Sequence, residues 1–263
     1  MNFTSDSIRK SIRILTLLIS SMVMINSCSD DNAPGTSNNN NNGGGNSTGG
    51  CAGGPSTVTD IDGNVYNVIS IGNQCWMKEN LKTSRYKNGA LIPTGLNGTQ
   101  CQTTTSGACA DYNNDPANTA IYGKLYNWYA VADTQGLCPT GWHEPEDWEW
   151  NVLVKAIDPN ADTTCNGCNQ SSIVGGAMKE IGTTHWTSPN TGATNSSGFT
   201  GLPGGYRANY GPYDGIGNYG YWWSATQYNS AQSQYRYLYY PNSNVGRDFD
   251  YKTIGFSVRC VRD

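Results

Sequence analysis

Tyr235-Arg-Tyr-Leu-Tyr-Tyr240 and Phe256-Ser-Val-Arg-Cys-Val261 set the reading of the whole chain. In the first, Tyr235, Tyr237 and Tyr239 alternate with Arg236, Leu238 and Tyr240; in the second, Phe256, Val258 and Cys260 alternate with Ser257, Arg259 and Val261. A period of two is the signature of a strand with one face turned to a core. Everything after Thr187 reads this way, as strands joined by Gly/Asn-rich loops. Upstream, Val58, Ile61, Val65, Val68 and Ile71 are broken by Asp62-Gly63 and Gly72-Asn73, which predicts short strands and hairpin turns. Two stretches carry helical spacing instead. Leu125, Trp128, Tyr129 and Ala132 recur at i, i+3, i+4 and i+7 within 121–132, and Trp148, Val152, Leu153 and Ala156 also recur at helical spacing, i, i+4, i+5 and i+8, within 145–157. A shorter helix is expected over 174–181. Strands, two main helices and then a strand-rich half predict an α+β domain with twisted antiparallel β-sheets over 57–263.

The N-terminus has a different texture. Arg9, Lys10 and Arg13 precede the apolar run Ile14 to Ile25, too short for a bilayer span of about 20 residues but suited to a signal peptide. The run ends in Ile25-Asn26-Ser27-Cys28, which resembles a bacterial lipobox. The resemblance implies a signal peptide over 1–27 and a diacylglycerol on Cys28. The Asp30-Asp31 pair that follows resembles the export signal of Bacteroidetes lipoproteins, which implies an outer membrane lipoprotein exposed on the cell surface. Residues 28–56 are rich in Asn, Gly and Ser and hold almost nothing that a core would take up, so they are expected to act as a flexible tether. From Ser29 to Gly50 such a coil spans roughly 25 Å.

Composition narrows the function. Of 263 residues, 14% are charged and 37% hydrophobic, while Gly (32), Tyr (17) and Trp (8) are abundant. That balance fits an exported β-rich protein. The net charge of −4 becomes −6 once Asp6, Arg9, Lys10 and Arg13 are removed with the signal segment, and an acidic chain lacks the footprint that nucleic acid requires. With two histidines, His143 and His185, and no triad-like phrase around either, both are expected to be structural.

Nine cysteines leave eight once Cys28 is lipidated, an even number that in an exported chain suggests disulfides. Cys138 with Cys260 would staple the two halves, Cys51 with Cys75 would pin the tether to the first hairpin, and Cys101–Cys109 and Cys165–Cys168 are local pairs. The Cys165-Asn-Gly-Cys168 spacing sits in a loop after a helix, the wrong context for a redox motif. It also lacks two further ligands for zinc.

Several phrases occur together in order: Asp60-Ile-Asp-Gly-Asn-Val-Tyr66, Ile71-Gly-Asn-Gln-Cys-Trp-Met-Lys-Glu-Asn-Leu81, Tyr122-Gly-Lys-Leu-Tyr-Asn-Trp128, Cys138-Pro-Thr-Gly-Trp-His143, Gly198-Phe-Thr-Gly-Leu-Pro-Gly-Gly-Tyr-Arg207, Tyr221-Trp-Trp-Ser224 and Gly255-Phe-Ser-Val-Arg-Cys260. They resemble the Fibrobacter succinogenes major paralogous domain family, over about residues 57 to 263. The resemblance implies an exported or lipid-anchored bacterial surface protein with a C-type-lectin-like fold, and more distantly a likeness to formylglycine-generating enzymes. The chain lacks the Glu-Pro-Asn or Gln-Pro-Asp triplet and the Trp-Asn-Asp of calcium-dependent lectins. It also has one cysteine after Cys168, where the enzymes need a reactive set.

Asp111, Asn113 and Asp115 have the alternating oxygens that open a calcium loop, with Asp60, Asp62 and Asn64 a weaker echo. Neither run continues to the expected glycine and glutamate. The acids Glu144, Glu146, Asp147 and Glu149 are expected to be solvated at a helix start, where the dipole favours them. Eleven of the seventeen tyrosines lie between Tyr206 and Tyr251. Tyr206, Arg207, Tyr210, Tyr213, Asp214, Trp222, Trp223, Tyr228 and Arg236 are the candidate ligand-binding residues, since amphipathic rings offer contact area at low entropy cost. Neighbours on a strand face opposite sides, so one of Trp222 and Trp223 is expected in the core and the other outside. Three functions follow: a non-enzymatic binding or adhesion module for polysaccharide or protein ligands, a structural coat lipoprotein without a specific ligand, or an enzyme related to the formylglycine-generating group. The first is preferred, with no cofactor beyond a possible calcium ion.

Overall fold

The computed structural model describes Cys51 and residues 54–263; the signal segment 1–27, Cys28 and the tether as far as Gly50 lie outside the described residues. The first strands follow the hydrophobic pattern: β1 (Thr57–Thr59), β2 (Val65–Ile71) and β3 (Gln74–Met77) pair antiparallel in sequence. Between β2 and β3 the Gly72-Asn73 turn uses a glycine at φ +61, a region open to glycine at little cost. Next come α1 (Gly98–Thr103), β4 (Cys109–Ala110), α2 (Pro116–Tyr122), β5 (Leu125–Tyr126), α3 (Trp128–Val131) and β6 (Trp142–His143). The single helix expected over 121–132 is therefore replaced by the end of one helix, a strand and a second, four-residue helix. Gly123, at φ +78, closes α2, and the Asn127 side chain accepts from Ala130 N to open α3. Leu125, Trp128 and Val131 all reach the core, so a strand and a turn imitate helical spacing.

The second half holds α4 (Asp147–Ile157), β7 (Cys168–Ser171), α5 (Val174–Met178), β8 (Gly204–Arg207), β9 (Tyr213–Ile216), β10 (Tyr219–Gln227), β11 (Gln232–Tyr239), β12 (Val245–Tyr251) and β13 (Val261–Arg262). At eleven residues, α4 is the one helix of more than two turns among those described, so one main helix stands where two were expected. The strands build a five-stranded sheet, β1-β2-β3-β13-β6, a four-stranded sheet, β10-β11-β12-β7, and two small hairpins, every named pair antiparallel. The fold is mixed, with few helices and many antiparallel strands. No helix among the described residues is long and apolar enough to cross a membrane.

Strands that pass between two cores explain why both Trp222 and Trp223 are buried, at 0% and 1% exposure. Trp223 lies in a cluster with Met77, Tyr126, Phe256, Val258 and Cys260. Trp222 lies in a second cluster with Trp76, Trp150, Leu153, Phe199 and Val261. Alternation holds, but each face meets a core. The segment 255–261 threads between them: Phe256 N donates to Tyr126 O, Ser257 N to Tyr221 O, and the carbonyls of Val258 and Cys260 accept from Leu81 N and Met77 N.

Three disulfides are present: Cys51–Cys75, Cys138–Cys260 and Cys165–Cys168. Cys101 and Cys109 are instead free thiols, both buried. Cys101 sits on α1 with its thiol toward Leu96 O, 3.7 Å away, while Cys109 is fixed in β4 opposite Tyr126. The Cys138–Cys260 bond joins residues 122 apart. Replacing both by alanine should therefore cost about 2–5 kcal/mol in urea unfolding, the range for removal of a native disulfide.

Candidate binding face

Cross-strand register assembles a tyrosine surface from strands whose other face is packed. Tyr219 stands opposite Tyr239, Tyr221 opposite Tyr237, and Trp223 opposite Tyr235. The Tyr219 and Tyr239 rings lie 4.1 Å apart at 3°, and Tyr221 stacks on Phe256 at 4.8 Å and 13°. Tyr206, from β8, meets Tyr221 edge-on at 5.6 Å. Tyr237 lies across Gly246 of β12, where any Cβ would collide with its ring. Further along β12, Asp248 faces Tyr235 and Asp250 faces Ser233, so two carboxylates edge the rings. Asp214 adds a third, exposed and opposite Tyr206.

Tyr206, Tyr219, Tyr221, Tyr237 and Tyr239 are half-buried, held by neighbours yet open along an edge. Burial pushes the Tyr219 phenol up to about 12, with Tyr239 adding to the shift. Burial also raises Tyr206, Tyr221, Tyr235 and Tyr237. The hydroxyls therefore stay protonated near neutral pH and can both donate and accept. Burial raises the Asp250 carboxyl above its ordinary value, and Asp248 acts in the same direction.

Of the candidates chosen from sequence, Tyr206 and Asp214 belong to this face. Tyr210 is 63% exposed in the β8–β9 turn, and Tyr228 stacks on Phe249 at 3.9 Å beyond the end of β10. Tyr213 packs on Tyr112 and donates to Asn114 Oδ1 at 2.9 Å. Arg207 is spent within the fold, on Leu96 O and Gly211 O, with its guanidinium 5.3 Å from the Tyr213 ring. Three candidates are corrected outright. Trp222 and Trp223 are core residues, and their indole N–H groups donate to Asn80 Oδ1 and Tyr126 O. Arg236, 1% exposed, points to the opposite face of β11 and donates to Asp147 Oδ1 at 2.8 Å.

The calcium candidates have other partners. Asp111 pairs with Lys124 at 2.5 Å and accepts from Thr119, and Asp115 caps α2 at Ala117 N. Asn113 lies in the 112–114 turn at φ +55. Asp60 organises its own turn, accepting from the backbone of Asp62 and Asn64 and from the Tyr66 hydroxyl. Among the described residues no three His, Cys, Asp or Glu groups converge as metal ligands. The acids at the start of α4 are not all solvated either: Asp147 and Glu149 are buried, Asp147 paired with Arg236 and Glu149 2.8 Å from His143 Nε2.

Tyr219, Tyr221, Tyr237, Tyr239, Asp248 and Asp250 escaped the sequence reading as site residues. Their alternation was visible, but its meaning depends on which strand pairs with which.

The model of the Fibrobacter succinogenes major domain family matches residues 69–262, about three-quarters of the chain. The chain belongs to that family. No curated protein and no solved structure matches it. The phrases that carry the family resemblance fall largely inside this molecule: Trp76, Met77, Asn80 and Leu81, then Tyr126 and Trp128, then Phe199, Trp222, Trp223 and the 255–260 segment are all buried. In this member of the family they build the two cores, and Tyr206, Tyr221 and Tyr237 of the tyrosine face pack against the first of them.

Proposed function

We propose that the protein is a non-enzymatic recognition module, tethered through a lipid on Cys28 to the outer membrane and displayed at the cell surface, that binds polysaccharide on its tyrosine face. The single observation behind the reading is the set of cross-strand tyrosine pairs edged by Asp248, Asp250 and Asp214. Half-buried aromatic rings offer apolar contact to the C–H groups of a sugar, while phenols and carboxylates take its hydroxyls. The acidic edge favours neutral sugars over uronates, because like charge opposes an anionic chain. A C-type-lectin-like architecture is part of the same proposal, supported by one long helix among antiparallel sheets.

An enzyme of the formylglycine-generating kind would need reactive thiolate in an accessible cleft. Cys101 and Cys109 line a cavity of about 20 Å³, room for one water, and burial pushes the Cys109 thiol up to about 11. These features support recognition over thiol chemistry.

Sedimentation of the full-length protein with insoluble polysaccharides (cellulose, chitin, xylan and mannan) tests the reading. At least one should retain it saturably. Tyr219→Ala with Tyr239→Ala should lower that affinity about tenfold or more, whereas the Phe counterparts, which keep the rings, should lose much less. Unchanged retention in a folded double-alanine variant would remove the tyrosine face from the account.

A further inference from the structure

Seven of the eight tryptophans are at most 8% exposed; Trp148 is 58% exposed. It occupies the first turn of α4 and forms part of the wall of a cleft of about 580 Å³, within the size range of small-molecule sites. The indole is held rather than loose, since its Nε1 donates to Glu146 Oε2 at 2.7 Å. The β2–β3 turn contributes Asn73 and Gln74 to the same lining. His143 sits between two carboxylates, with Nε2 2.8 Å from Glu149 Oε1 and Nδ1 2.6 Å from Asp263 Oδ1. Arg262, also in the lining, lays its guanidinium over the backbone of Gly54. Glu149 and Asp263 stand against Arg262 in the lining, so both signs of charge are present and an anionic ligand is not favoured. What remains is an aromatic wall with amide and carboxylate groups in the same lining, a combination suited to a neutral ring bearing hydroxyls.

We propose that the Trp148 cleft is a second binding site, one that takes a neutral mono- or disaccharide. It lies on the outer side of α4, and α4 covers the face of β11 opposite the tyrosines. The cleft does not depend on the tyrosine face, and either site can fail without the other.

Trp148 supplies its own reporter, because a soluble quencher reaches an exposed indole far more readily than seven buried ones. Acrylamide quenching of the full-length protein is measured with glucose, galactose, mannose, xylose, N-acetylglucosamine and their disaccharides as probes. At least one should protect the quenchable emission saturably. Trp148→Ala should abolish the quenchable fraction and raise the apparent Kd about thirtyfold, followed by calorimetry, the scale of an aromatic hot spot. Asn73→Ala, in an exposed turn, should weaken protection while leaving quenching without sugar unchanged. Tyr219→Ala, on the other face, should leave the protection of the Trp148 emission by sugar in place. No protection by any probe would overturn the proposal. So would calorimetric affinity that Trp148→Ala leaves unchanged in the Tyr219→Ala/Tyr239→Ala background, or protection that disappears in Tyr219→Ala.

Discussion

Asn80→Leu is expected to destabilise the fold by about 3–5 kcal/mol, the scale for leaving a buried charge without its partner. Asn80 Oδ1 accepts from Arg259 Nη2 at 2.7 Å and Nε at 3.2 Å, and from Trp222 Nε1 at 2.8 Å. Its Nδ2 donates to Tyr122 O and Ser257 Oγ. Arg259 is fully buried and has no carboxylate in contact; its other acceptor is Phe199 O, and the Phe199 ring lies 3.9 Å from the guanidinium carbon. Leucine matches asparagine in size but offers no acceptor, so the guanidinium and one indole N–H are orphaned together. Urea unfolding measures the loss. Adding Arg259→Met to Asn80→Leu should recover a large part of it, because an apolar pair no longer contains a stranded charge. A loss below about 1 kcal/mol would show that this polar knot does not hold the cores together.

Asp147→Asn should cost a similar amount, about 3–5 kcal/mol at neutral pH. Asp147 is the first residue of α4, and it receives Arg236 Nη1 at 2.8 Å, Arg247 Nη2 at 2.7 Å and Arg247 Nε at 3.0 Å. One carboxylate therefore bridges α4 to β11 and β12 and neutralises two buried arginines. Burial works to raise its pKa, but Arg236 and then Arg247 outweigh burial and hold it below the ordinary carboxylate range. A depressed carboxyl stabilises the fold fully above its unfolded value, about 4, and loses that contribution as pH falls through the folded value. The wild type and Asp147→Asn should accordingly converge in stability in strong acid, diverge as pH rises toward about 4, and keep a constant gap above it. A gap that stays constant into strong acid would mean that the carboxylate charge is not what matters.

These two knots mark where the sequence was legible and where it was not. Period-two alternation in 235–240 identified a strand correctly, and Asp62-Gly63 and Gly72-Asn73 identified the first turns. Of the four cysteine pairs offered by the sequence, three are present and Cys101–Cys109 is not. Alternation failed as a guide to exposure, because β10 and the 255–261 segment separate two cores and both faces are covered. Arg236 looked like a ligand residue for the same reason: nothing local announces that Asp147, 89 positions earlier, is its partner. The helix expected at 121–132 failed because apolar spacing records which side chains reach the core, not the backbone that brings them there. Gly123 and Asn127 were the local signals against it.

The binding face was half legible. Tyrosine abundance after residue 206 pointed to the right part of the chain, yet the stacked set arises from the β10–β11 register, which composition does not contain. Apart from Tyr206 and Tyr221, the family phrases pointed elsewhere, to residues that now have structural work to do. Asn80, Phe199, Trp222 and Arg259 form one connected unit of hydrogen bonds and aromatic contacts.

The most direct test of recognition by the tyrosine face is a glycan array probed in parallel with the full-length protein and its Tyr219→Ala/Tyr239→Ala variant, both shown to be folded by thermal melting. Saturable binding to neutral glycans by the wild type, reduced about tenfold or more in the variant, is the expected result. Wild-type binding that the variant retains in full, or no binding across the array, would contradict it.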